Sequence, residues 1–556
     1  MAEAKQLLRR LELGRDRYGA DSAASKAELL AVLERARLAR PAEILRLHEV
    51  LCFLRAYPDD ARLLARVERM LGKFARRRDL AAHRAALADS GIAGTEIRDR
   101  FYLPSAEWLA RRWPARLRVD WERFEWRERL EPFLPLLALF PETAGLDEWD
   151  LGLKGWLGRL AGPRTPDGTF LVRRFGALAA DAFTRERLYE EIDVPLRLAA
   201  GPDTPSRTHA RYASSPVVFC CGLARGRPEL PADALRTPLA VRALAPREAR
   251  RLIDLAREAM VTRNRDLDVF SYASPEDVRL VEWEGGLQFA CMGAIPERRL
   301  LLESVYGFLT LKNGVPLGYV LASALFGSSE IAYNVFDTFR GGEAGWIYGR
   351  VLATVRHLFG SDAFTIFPYQ LGQNNEEALA SGAWWFYQKI GFRPRHPAAL
   401  ARMRRELGRL RRDPAYRSVR DTLRLLAGHN LYYFLGRPRE DVIGIVFPPN
   451  IGLRITDALA QRFGPDREAA TRVLSREAAE LLGVRSLRGF SPGERLAWER
   501  WAPLVRILPG IERFSAEERR GLVGVVRAKG GRRESEFVRR LDAHRRLRRA
   551  LLQLAR

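Results

Sequence analysis

The sequence predicts a multidomain chain of mixed α+β and α/β character. A central mixed β-sheet with flanking helices lies between mainly α-helical N- and C-terminal domains. Three observations predict it. At 556 residues the chain exceeds what one hydrophobic core supports. Strand signals alternate with helical ones only between about residues 238 and 395. The formal charge of +24 is unevenly spread, with residues 238–400 neutral and residues 401–556 carrying +17. These shifts divide the chain into residues 1–95, 96–237, 238–400 and 401–556.

Residues 1–95 read as helices. Ser25-Lys-Ala-Glu28 has the form of a capping box ahead of an apolar run. Pro41 and Pro58 sit where helices begin, and Leu45, His48, Leu51, Cys52 and Leu54 fall on one side of the helix after Pro41. Residues 96–200 are Trp-rich and mostly helical, with Trp108, Trp113, Trp121, Trp126, Trp149 and Trp156 expected to pack between helices. Residues 200–237 read as a connecting segment around a short apolar strand, Pro216–Cys221.

From Pro238 the pattern changes. A strand at Pro238–Leu244 leads into a helix over Ala245–Thr262. Tyr306–Leu321 is a hairpin turning at Asn313-Gly314, a pair suited to a type I′ turn. A strand from Glu330 to Phe336, a helix over Gly345–Phe359, a strand at Phe364–Phe367 and a helix over Asn375–Lys389 follow. Residues 401–556 return to helices, two of them opened by Ser491-Pro-Gly-Glu494 and Ser515-Ala-Glu-Glu518. The last helix sets Phe537, Leu541, His544, Leu547, Leu551 and Leu554 on one side, with Arg539, Arg540, Arg545, Arg546, Arg548 and Arg549 over much of the rest.

The longest apolar run, near Phe133–Phe140, is too short to cross a bilayer. The first ten residues lack the apolar region of a secretory signal, so a cytoplasmic protein without a membrane span is expected. Cys52, Cys220, Cys221 and Cys291 have no CxxC spacing and no His-rich company, which argues against a metal site, and the adjacent Cys220 and Cys221 read as buried packing thiols, with a redox pair as the alternative. Only seven of the 93 basic residues are Lys, a skew that weakens a nucleic-acid reading of the charge.

The chemistry concentrates in Val335-Phe-Asp-Thr-Phe-Arg340-Gly-Gly-Glu-Ala-Gly345, a strand running into a Gly-rich turn that opens a helix. Such a turn presents free amides at a positive helix end, which suits a phosphate. Asn375-Glu-Glu-Ala378 and Tyr387-Gln-Lys-Ile-Gly-Phe392 follow. Together these residues resemble the GNAT (GCN5-related N-acetyltransferase) superfamily, over about 160 residues. The resemblance implies a GNAT-like sheet and acyl transfer from acetyl-CoA or another acyl-CoA to an amine, without a metal. It also implies roles. The amides of Arg340, Gly341, Gly342, Ala344 and Gly345 would hold the diphosphate, and Val335 and Phe336 would form a bulge that turns an N–H to the thioester carbonyl. Asn375 would bond the pantetheine arm or a water, and Tyr387 would protonate the departing sulfur.

Glu343 stands where the family has its middle Gly, and about five extra residues, including Gly382 and Trp384-Trp385, separate Ala378 from Tyr387. Glu330 is the candidate general base, one residue out of the family's register and so on the opposite strand face. Glu303, Asp337 or a water chain are alternatives. Three classes of function stay open: an acyl-CoA-dependent N-acyltransferase with an unidentified amine acceptor, a non-catalytic CoA-binding or regulatory module, and a protein that binds nucleic acid or another polyanion through residues 401–556. An aminoacyl-tRNA-dependent transferase would combine the first and third.

Overall fold

A computed structural model describes residues 2–213, 216–226 and 228–556. The fold is mixed, with many helices, a nine-stranded mixed sheet and a three-stranded one. The chain separates into two compact units: residues 1–223 with 250–272 and 312–316, and residues 224–249 with 273–311 and 317–556.

The large sheet is built from β1 (Ala240–Ala243), β2 (Ala273–Glu282), β3 (Leu287–Ala294), β4 (Ser304–Lys312), β5 (Val315–Leu325), β6 (Ser328–Val335), β7 (Ala363–Ile366), β8 (Arg393–Pro394) and β9 (Leu431–Phe434). Their spatial order is β8-β9-β7-β6-β5-β4-β3-β2-β1. β3 is buried along its whole length, as an inner strand covered on both faces must be. The β4–β5 hairpin turns at Asn313 and Gly314, whose φ angles of 50° and 77° are the left-handed pair that a type I′ turn requires. Pairing of β2 with β3 shifts register between Ala273 and Val278. Pro275 lies in that interval and has no N–H to offer a ladder.

Three features of the sheet module depart from the sequence reading. The hairpin strands β2 and β3 enlarge the sheet, and β9 comes from a stretch read as helical. β9 slots antiparallel between β7 and β8, where Tyr432 packs with Ala363 and Val442. The last helix of the sheet module also breaks in two. Gly382 adopts φ 70°, ending α2 (Glu376–Ser381) and starting α3 (Ala383–Ile390). They follow α1 (Ala344–Phe359), the helix between β6 and β7.

The helices Pro492–Ile507 and Ala516–Gly530 begin with the capping boxes expected at Ser491–Glu494 and Ser515–Glu518. Each box satisfies two helix-end N–H groups reciprocally. The last predicted helix breaks at His544, whose ring accepts from the Leu547 N–H at 3.2 Å and so caps the next segment, Arg545–Leu554. A buried polar cluster ties these helices to the sheet. Tyr306 of β4 donates to Asp277 of β2 at 2.6 Å. Asp277 also accepts from the Glu534 N–H at 3.0 Å, and the Ser535 N–H donates to the Tyr306 oxygen at 2.8 Å. Lys529 pairs with Glu534 at 2.5 Å and donates to the Glu303 carbonyl at 2.8 Å. Arg299 donates to the carbonyls of Ala294, Lys529 and Gly531.

Beside this cluster, Gly493 and Gly530 bring two backbones together. A Cβ on Gly530 would lie 2.1 Å from the Gly493 carbonyl oxygen. Because the obstacle is main chain, it cannot rotate away. Gly530→Ala is expected to lower stability by about 1–3 kcal/mol, read as a lower urea midpoint. An unchanged midpoint would contradict that contact.

In the other unit, the N-terminal helices are Ala2–Gly14, Ala20–Arg35, Pro41–Ala56 and Ala61–Gly72. Pro41 opens its helix as expected, but Ser25–Glu28 lies inside a helix that has already begun at Ala20. The Ala-rich stretch Ala20–Ala24 has the propensity to start it earlier. Asp60, not Pro58, caps the fourth helix, accepting from the Leu63 N–H at 2.7 Å. Residues 96–200 contain the three-stranded antiparallel sheet, Ile97–Asp99, Leu196–Leu198 and Leu117–Val119, with Leu196–Leu198 central. Trp108 and Trp113 sit in its core with Phe175 and Tyr189, and Trp121 and Trp156 pack against it. Trp126 and Trp149 are exposed. Pro216–Cys221 forms no strand. It is held by single bonds, such as the Cys220 N–H to the Pro58 carbonyl at 2.8 Å. Cys221 is exposed and Cys220 half-buried, unlike buried Cys52 and Cys291.

Candidate functional site

The parallel strands β6 and β7 pair at only three positions, Ser328–Ala363, Ser329–Phe364 and Glu330–Thr365. β6 then runs on to Val335 while β7 ends at Ile366. The far half of β6 therefore lacks a partner on that edge. On its other edge β6 pairs with β5 without a break, from Ser328–Leu325 to Val335–Gly318. The Phe336 N–H continues this ladder, donating to the Leu317 carbonyl at 2.8 Å. The bulge implied at Val335 and Phe336 is thus absent, and the Phe336 amide is committed. Alternate residues of an antiparallel ladder turn their N–H groups to opposite edges, so Tyr333 and Val335 present theirs to the unpaired side.

Tyr387 reaches that edge from α3. It is buried in an aromatic cluster, with the Tyr348, Phe386 and Phe392 rings at 5.6, 5.2 and 5.9 Å. Burial holds its phenol well above the ordinary range, and the Tyr333 N–H opposes this by donating to the oxygen. The Tyr348 hydroxyl beside it is fully buried and has no hydrogen-bond partner among the described residues.

Past β6 the chain enters the Gly-rich turn. Gly341 adopts φ 78°, in the left-handed region that favours glycine. Gly341, Gly342, Ala344 and Gly345 make no main-chain N–H hydrogen bonds among the described residues, as at any helix start. Arg340 lies across the opening, donating to the Val335 carbonyl at 3.4 Å and pairing with Asp337 at 2.8 Å and with Glu377. Glu343 is buried, and its carboxylate accepts from the Ala224 N–H at 3.1 Å. The same segment covers the start of α1, where a Cβ on Gly345 would lie 3.1 Å from Pro228 Cδ. One turn on, Asp233 accepts from Arg350 at 2.7 Å. Asn375 is the N-cap of α2. Its oxygen accepts from the Ala378 N–H and its nitrogen donates to the Tyr369 carbonyl, both at 3.1 Å. The local structure occupies the groups that the family resemblance assigns to pantetheine. Trp384 is buried, and Trp385 is anchored to Ser418 at 3.2 Å.

Glu330 lies three residues before Tyr333 on β6, so its side chain leaves by the other face. There it lines a cavity of 590 Å³, within the size range of small-molecule sites. Glu303 and Glu330 are its titratable members. Asn430 adds a polar wall, and the remaining lining is mainly apolar, from Leu300–Leu302, Phe367, Ile443–Pro449, Ile451 and Gly452. Burial, reinforced by the neighbouring Glu303, pushes the Glu330 carboxyl from 4.5 up to about 7. Burial also raises Glu303, with Lys529 opposing. Asp337, the other alternative base, is an exposed partner of Arg340.

Sequence reasoning overlooked Phe367, Asn430 and the Ile443–Gly452 wall. The apolar run Ile443-Gly-Ile-Val-Phe-Pro-Pro was the available signal, but nothing local in it points to Glu330. The basic C-terminal face is partly spoken for: Arg539 donates to the Leu358 carbonyl, Arg546 pairs with Glu518 and Arg548 with Asp441. Among the described residues, no group of three or more His, Cys, Asp and Glu could hold a metal ion, and no helix is long and apolar enough to cross a membrane. In comparison with known proteins, no family model matches the chain, and no curated protein or solved structure matches it.

Proposed function

We propose that the chain is a GNAT-type N-acyltransferase that moves an acyl group from an acyl-CoA to an amine. The observation that carries this reading is the unpaired edge of β6 with the Tyr387 hydroxyl held against it. An extended ligand laid along that edge meets the Val335 N–H, and the Gly-rich turn begins just beyond. The acyl-CoA would supply the activated thioester. Glu330, poised near neutrality on the other face of β6, receives the proton of the attacking amine through bridging water. The Val335 N–H donates to the thioester oxygen as charge develops there. Tyr387, kept protonated by burial, gives its proton to the sulfur as the carbon–sulfur bond breaks.

A second reading is a non-catalytic ligand-binding module, favoured by the cover that Pro228 and Glu343 place over the start of α1. Acetyl-CoA is expected to raise the melting temperature of the full chain, and Gly345→Trp to abolish the shift. Tyr387→Phe is expected to slow acyl transfer about 100-fold while the acetyl-CoA shift persists. No shift with the wild-type chain overturns the acyl-CoA reading. A shift without product from any amine leaves the binding module.

A further inference from the structure

Resting on the acyltransferase reading, we propose that its acceptor is a primary amine carrying a bulky apolar group, bound in the Glu303–Glu330 cavity with the ammonium at the two carboxylates. The cavity's chemistry is lopsided. Its charged members are both acidic and come from neighbouring parts of the sheet, Glu330 from β6 and Glu303 from the residue before β4. The rest is aliphatic or aromatic apart from Asn430 and main chain. Leu300, Phe367 and Phe447 are lining residues that remain 50%, 43% and 59% exposed, an uncovered apolar surface around the acidic members. The Asn430 oxygen is buried without a hydrogen-bond partner among the described residues, while its nitrogen donates to the Tyr432 hydroxyl and the Gly444 carbonyl. An ammonium supplies donors and positive charge to such a set. An apolar tail would cover the exposed residues, and a carboxylate or phosphate would be repelled.

The two carboxylates also set a pH signature. An ammonium favours their ionised forms, so binding releases protons and strengthens as pH rises through the range where Glu330 titrates. The cation acting on Glu303 is Lys529, which is held by Glu534 and the Glu303 carbonyl. It opposes the upward shift that burial gives the Glu303 carboxyl.

The test is calorimetric titration of the full chain with n-octylamine, without acyl-CoA. n-Octanol shares the tail and n-butylamine the head. Octylamine is expected to bind about tenfold or more tightly than either, with proton release and higher affinity at about pH 7.5 than at about pH 5.5. The double variant Glu303→Gln/Glu330→Gln should lose about tenfold in octylamine affinity while gaining on octanol. Phe447→Ser should weaken octylamine and leave butylamine unchanged. Octanol matching octylamine, or the double variant binding octylamine unchanged, overturns the proposal. Binding that follows these expectations but yields no acylated octylamine with acetyl-CoA keeps the ligand class and overturns the transfer reaction. Transfer to another amine without octylamine binding does the reverse.

Discussion

Replacing Lys529 by methionine is expected to reduce folding stability by about 3–5 kcal/mol, because it strands a carboxylate in the interior. Lys529 and Glu534 are buried, with side chains 4% and 1% exposed. Burial alone lowers the lysine's pKa and raises the glutamate's, and each opposes the other's shift. Without the ammonium, the cation left to the Glu534 carboxylate among the described residues is Arg299, at 3.9 Å, and the Glu303 carbonyl loses its donor. The measurement is urea unfolding near neutral pH. The paired variant Lys529→Met/Glu534→Leu should recover most of the loss, since an apolar pair of similar size avoids the desolvation of both ions. A single variant as stable as the wild type would show that the pair does not matter to the fold. The glutamate protonates more readily in the single variant, so its deficit should shrink as the solution is made acidic.

Glu330→Gln is expected to lower kcat about 100- to 10,000-fold with an acceptor amine, the usual range for losing a general base. In the wild type the rate should rise with pH through about 7, where the carboxyl ionises, and the glutamine variant should lose that rise. Stability runs in the opposite direction. The folded-state value lies above the ordinary 4.5, so the native state favours the protonated form. That contribution is complete below about 4.5 and is lost as pH rises through about 7. The variant, with no charge to bury, should therefore gain on the wild type in alkaline solution while remaining far slower. A variant that keeps both the rate and its pH profile would remove Glu330 from the reaction.

What could be read in the sequence was local. Asn313-Gly314 and the boxes at Ser491 and Ser515 act within four residues, and the structure contains each of them. Interruptions were harder. Gly382 and His544 each lie inside an unbroken helical pattern, and what ends the helix is a backbone angle in one case and a ring accepting an N–H in the other. Leu431–Phe434 is too short for periodicity to separate a strand from a buried helical turn. The candidate site divides in the same way. Tyr387 and Glu330 were chosen from motif spacing. The cavity, though, joins Glu303 to Ile443 and Phe447, residues more than a hundred positions apart, and no local pattern encodes that encounter. Asn375 matched the motif, yet its amide caps a helix.

The two margins of the large sheet bear on how this chain behaves at high concentration. One margin is the four-residue β1, and the other is β8, just two residues long and ending in Pro394. A rim this short, with a proline that has no hydrogen to give, is a poor template for a strand from another molecule. Fibril-like stacking of folded copies should therefore be suppressed, so that any aggregates arise from unfolded chains.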